Sequence, residues 1–86
     1  MEDKEFQEFR KKCEHEVNDK ERYKSFGWVT TVEAERILNY KFSRNDLQGY
    51  CNRGKLPFTV DSLDPMQTKH IQDIFLFRFA KEKGII

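Results

Sequence analysis

Two helix starts built from the same chemistry lie 13 residues apart in this chain, and a stop follows each of them. Thr30 is followed three residues later by Glu33, and Ser43 is followed at the same spacing by Asp46. A hydroxyl that accepts from the N3 amide, with an N3 carboxylate reaching back to the cap amide, satisfies donors that a helix N-terminus otherwise leaves orphaned. Behind the first cap, Ala34, Ile37 and Leu38 make a buried face, and Asn39, which tolerates a left-handed backbone, closes the helix. Behind the second, Leu47, Tyr50 and Cys51 share one stripe of a helix from Arg44 to about Asn52. Gly49 weakens that helix by up to about 1 kcal/mol relative to alanine. Gly54 ends it, and Pro57 forbids its continuation. Two short helices on a tight turn are a helix-turn-helix unit.

The flanks fill out the architecture. Phe6, Phe9, Cys13 and Val17 recur at spacings of three and four, which predicts one amphipathic helix over about residues 4–20. Asp3 reads as its N-cap, with Glu5 in the first turn. Its stripe is narrow, so the helix either lies on the core or remains a charged arm. Residues 26–29 suit a turn or a short extended piece. After Gly54, the run Lys55-Leu56-Pro57-Phe58-Thr59-Val60 suits a strand, with a turn at Asp61-Ser62. Asp64 before Pro65, with Gln67 at N3, predicts a final helix from Pro65 to about Lys83. On it Ile71, Ile74, Phe75 and Arg78 share a face that Phe77, Phe79 and Ala80 widen; Lys81 and Lys83 complement the dipole, and Gly84 stops it. The alternation over residues 75–79 also admits a strand, but caps at both ends favour helix. A helix apolar on so many sides is either the central core element or a homodimer surface. The expected organisation is an N-terminal amphipathic helix or arm, 1–27, and a domain, 28–86.

At 86 residues the chain is too short for a two-lobed enzyme. Its mean hydropathy is −0.87, yet aromatic residues make up 14%, which argues for a ring-built core rather than disorder. The longest apolar run, residues 74–77, is far short of the roughly 20 needed to span a bilayer. The acidic start lacks the cationic and apolar regions of a signal peptide, and Cys13 and Cys51 do not make a disulfide framework. A cytoplasmic protein is expected. Net charge is +1, with the excess in the middle: residues 28–60 hold three acids and five bases. No phosphate loop, dinucleotide fingerprint, zinc-protease or nucleophile-elbow pattern occurs, and no nucleophile has an adjacent base. Cys13 and His15 point to different helix faces, and neither Cys51 nor His70 has a partner at ligand spacing. The chain reads as non-enzymatic, without metal or cofactor.

The run Val29-Thr30-Thr31-Val32-Glu33-Ala34, then Ile37-Leu38, then Arg53-Gly54-Lys55-Leu56-Pro57, resembles the excisionase-type and MerR-like winged-helix DNA-binding families. It departs from them in Glu35 where a small residue is usual, in a longer segment at 39–42, and in Gly49 within the second helix. The resemblance implies a mainly α winged helix-turn-helix with a small β-wing at about 55–63, and a small transcription regulator or excisionase-like architectural factor that binds double-stranded DNA. A second helix in the major groove would present Lys41, Ser43, Arg44, Asn45, Gln48 and Asn52, types suited to guanine, adenine and phosphate. Arg53 and Lys55 flank the turn into the wing, where such proteins touch the backbone. Three to five phosphate contacts, roughly, imply weak binding and a modest salt dependence. The competing reading is a protein-interaction module on the same scaffold, or an accessory piece of a larger complex. A continuous positive face around Arg44, Arg53 and Lys55 favours DNA; acids of the N-terminal helix folded over it favour a protein partner.

Overall fold

The computed structural model describes the backbone of residues 2–86 and side chains from Lys4 onward. The elements run α1 (Glu2–Glu16), α2 (Lys20–Phe26), β1 (Trp28–Thr30), α3 (Thr31–Ile37), α4 (Arg44–Asn52), β2 (Thr59–Val60), β3 (Lys69–Gln72) and α5 (Asp73–Glu82). The fold is mainly helical, with a small three-stranded antiparallel sheet in the order β1-β3-β2.

Both capping boxes form. Thr30 Oγ1 accepts from Glu33 N at 3.2 Å while Glu33 Oε1 accepts from Thr30 N at 2.9 Å. Ser43 Oγ accepts from Asp46 N at 3.1 Å while Asp46 Oδ2 accepts from Ser43 N at 3.3 Å. The turn between α3 and α4 passes through two left-handed residues, Asn39 at φ 54° and Tyr40 at φ 61°.

The N-terminal segment differs from the expected single helix over 4–20. α1 ends at Glu16, and a second helix starts behind Asp19, whose carboxylate accepts from Arg22 N at 2.9 Å. Asn18 and Asp19 satisfy backbone locally better than they continue a helix. The Lys20 ammonium closes the joint by donating to the carbonyls of Glu14 and His15, at 2.7 and 3.2 Å. The Asp3 side chain, expected as the first cap, lies outside the described residues, and the α1 backbone is already helical at Glu2.

The expected helix from Pro65 is the larger correction. Asp64 does receive backbone donors, but as a turn: Oδ1 accepts from Met66 N at 2.9 Å and Oδ2 from Thr68 N at 3.1 Å. Gln67 then adopts φ 52°, and the chain enters β3. Ladder bonds on both sides, Val29↔Ile71 toward β1 and Thr59↔His70 toward β2, outweigh the local Asp-Pro signal. The helix starts at Asp73. Ile71 is therefore a strand residue, and Arg78 is exposed rather than on the buried face; Leu76, Phe77, Phe79 and Ala80 are the buried ones.

One core gathers all layers. Phe9 and Cys13 of α1, and Val17 just after it, join Tyr23, Val29, Ala34, Ile37, Leu38, Leu47, Leu56, Ile71 and the α5 rings. Phe77 meets Phe6 and Phe9 at ring separations of 5.3 and 5.4 Å. The α5 rings thus pack inside the chain, as a central core helix would. Two carboxylates tie the helices together. Asp73 Oδ2 accepts from Tyr23 Oη at 2.7 Å and from Arg10 Nε at 3.1 Å, joining α1, α2 and α5. Gly27 is needed beside it, because a Cβ there would lie 3.1 Å from Asp73 Oδ1 and its backbone is left-handed. Glu33 Oε2 accepts from Asn18 N at 2.9 Å, joining the α1–α2 joint to the start of α3.

Candidate nucleic-acid interface

The cap at Ser43 sets α4 so that its first turn is exposed. Glu35, the departure from the familiar pattern, has a structural use there: its Oε2 accepts from Arg44 N at 2.6 Å. Arg44, Asn45 and Gln48 then line one groove of about 370 Å³. Its other walls are Thr31 and Val32 at the start of α3, Met66, Gln67 and Thr68 of the β2–β3 connection, and Lys69 at the start of β3. Asn52 is exposed and continues the Asn45–Gln48 row by one helical turn. Lys41 is exposed in the turn before α4; Ser43 is exposed but its hydroxyl serves the cap. Arg53 and Lys55 lie elsewhere, around a hollow of about 210 Å³ lined also by Tyr50, Phe79, Glu82 and Lys83. A third hollow of about 330 Å³, lined by Phe42, Asn45, Asp46, Gly49, Tyr50 and Arg53, lies between the two and shares residues with each.

The predicted residues are therefore split: three share the groove, two sit beyond it, and three are exposed around α4. Sequence reasoning misses Thr31 and Val32 and the far wall, where Asp64-Pro65 predicts a helix over residues 65–68. The signal was present in Asp61 and Asp64, two turn-forming acids three apart, whose carboxylates accept from Leu63 N and from Met66 and Thr68 N. Those backbone donors hold the Asp64 carboxyl below its ordinary range.

Three acids of α1 are paired with cations outside this groove. Glu5 pairs with Lys81 at 2.8 Å, Glu14 with Lys24 at 3.4 Å, and Glu16 with Arg36 at 3.5 Å. Among the described residues Lys41, Arg44, Arg53, Lys55 and Lys69 make no ion pair. Lys69 lies over the Phe58 ring at 5.5 Å. Apolar side chains also reach solvent on the β2–β3 connection, with Leu63 89% and Met66, which lines the groove, 84% exposed.

Elsewhere the reactive groups are sealed. Burial pushes the Cys13 thiol up to about 12 and raises Cys51 as well. Among the described residues no three His, Cys, Asp or Glu side chains gather to hold a metal ion, and no helix is long and apolar enough to cross a membrane. Comparison with family models, with curated proteins and with solved structures returns no match.

Proposed function

We propose that this chain is a winged helix-turn-helix protein that binds double-stranded DNA without catalysing a reaction, as a small regulator or an excisionase-like architectural factor in the cytoplasm. On this reading α4 is the recognition helix and the β2–β3 hairpin is the wing. One observation carries it: Arg44, Asn45 and Gln48 face a single open groove whose far wall is the hairpin connection, and no acid is among the residues that line it. Arg44 suits guanine, and Asn45 and Gln48 suit adenine, in the major groove. Lys41, Asn52, Arg53, Lys55 and Lys69 supply phosphate contacts around them. Ser43 acts indirectly, by fixing the helix end that presents Arg44.

A protein partner is the second reading, and the exposure of Leu63 and Met66 on the β2–β3 connection favours it. Binding titrations at several salt concentrations, on a selected site and on random duplex, separate the two. Arg44→Ala should lose about 1–3 kcal/mol on the selected site and relax preference at one position. Lys55→Ala should weaken every sequence alike and make the salt slope shallower by about one unit. Both side chains are exposed, so neither change should move stability beyond about 0.5 kcal/mol. Equal affinity of the wild type and both variants for both duplexes would eliminate DNA binding and leave the interaction module.

A further inference from the structure

Gly49 stands in the interior of α4, where only proline is a poorer helix former. Its bare Cα faces the Arg53 side chain, one turn further on. A Cβ at Gly49 would come 3.3 Å from Arg53 Nη1. Arg53 folds back along this bare strip of helix, and its guanidinium lies over the Tyr50 ring at 4.7 Å. From the end of α5 the Lys83 ammonium reaches the same ring at 5.0 Å and the Phe79 ring at 5.7 Å. Tyr50 is itself clamped edge-on by Phe42 and Phe79, at ring separations of 5.8 and 4.9 Å. Lys55 lines the same hollow, and Glu82 is the acid in it.

Three cations and one acid leave this hollow positive, and none of the three makes an ion pair among the described residues. Ring faces hold the cations in place but neutralise none of their charge. Like charges held on one aromatic platform repel until an anion enters between them. The hollow at Gly49, whose one acid is Asp46, shares Tyr50 and Arg53 with this one and Asn45 with the groove.

We propose that Arg53, Lys55 and Lys83 around Tyr50 form a phosphate seat for the backbone of duplex DNA, and that Gly49 is the positioning residue that places Arg53 in it. The seat rests on the DNA-binding reading and extends the footprint to the end of α5. It predicts a division of labour: bases are read in the groove, and register along the strand is set at the seat.

The test is a titration of the full chain with random-sequence duplex at about 50 and about 200 mM salt. Lys83→Gln should make the salt slope shallower by about one unit, so that its deficit against wild type is about threefold larger at the lower salt. Lys11→Gln, on an exposed part of α1, should match wild type. Gly49→Ala should raise the melting temperature and yet lower duplex affinity, a combination that a merely structural glycine would not produce. A wild-type salt slope in Lys83→Gln overturns the seat while leaving the DNA reading intact. A wild type that binds no duplex at low salt overturns both. If Lys83→Gln loses binding only to polyglutamate, the seat belongs to an acidic protein and the proposal falls. A Gly49→Ala variant with wild-type affinity removes the positioning role.

Discussion

Glu33 holds two helix ends with one carboxylate, and replacing it by glutamine tests how much that contributes. The side chain is only 6% exposed, and its two oxygens accept from Thr30 N and Asn18 N, each at 2.9 Å. Both partners are donors. Glutamine keeps one carbonyl oxygen and turns an NH2 toward the other amide, so Glu33→Gln leaves two donors facing each other. A hydrogen bond to a charged group contributes about 1.5–3 kcal/mol, and a neutral one about 1. Losing one and downgrading the other should therefore cost at least about 2 kcal/mol. In a domain of this size that lowers the melting temperature by about 10–20 °C. Thr30→Ala removes only the hydroxyl half of the cap and should cost about 1 kcal/mol. Thermal and urea unfolding of both variants, followed by far-UV circular dichroism, give the comparison. A Glu33→Gln protein within about 0.5 kcal/mol of wild type would refute the reasoning. Equal losses in the two variants would show that the link to Asn18 contributes nothing.

Tyr40 adopts a left-handed backbone at φ 61° with an exposed side chain, so Tyr40→Gly should raise stability by about 0.5–1 kcal/mol after the entropy of the unfolded glycine is set against the relieved strain; a lower melting temperature would contradict this. His70 is buried in the central strand, and burial, followed by the charge of Arg22, lowers its pKa from 6.5, with Asp64, Glu33 and Asp61 opposing. Below about pH 6.5 the unfolded chain then binds the proton that the folded chain refuses, so stability falls on acidification and is insensitive to this group above that pH. Urea midpoints should drop less between pH 7 and 5.5 in His70→Gln than in wild type; equal drops would remove His70 as the cause. Cys13 is fully buried with its pKa pushed up to about 12, so a thiol reagent should label it only as the protein opens, at a rate that follows denaturant; fast labelling of the native chain at Cys13 would contradict the packing.

What the sequence disclosed was what neighbours in the chain decide. The capping boxes at Thr30 and Ser43, the left-handed exit at Asn39 and the stops at Gly54 and Gly84 are local chemistry, and all five are present in the fold. Asp64 carries a local helix-start signal, but the strand behind it is set by pairing that no local pattern records, Ile71 with Val29 and His70 with Thr59. Tyr23 was passed over for a related reason: its burial is explained by Asp73, 50 residues further along. On the candidate interface the same division holds. Helical spacing puts Arg44, Asn45 and Gln48 on one face and the resemblance makes them candidates, whereas the far wall of their groove comes from a segment whose local signal favours helix. Lys83 looked like a residue placed for the helix dipole, and only the arrival of α5 beside Tyr50 brings it to Arg53.

The order β1-β3-β2 also governs when this protein can fold. The strand in the middle is the last of the three to be made, and β1 at Trp28–Thr30 has its partner only when Gln72 is reached. At ribosomal rates of about 5–20 residues per second, some 2–8 seconds pass between the synthesis of Thr30 and that of its pairing strand. During that interval α3 and α4 exist as two capped turns of helix too short to persist alone. Neither the groove nor its far wall exists until β3 slots between strands already made, and Leu47, Val29 and Ile37 stay open to chaperones for that time.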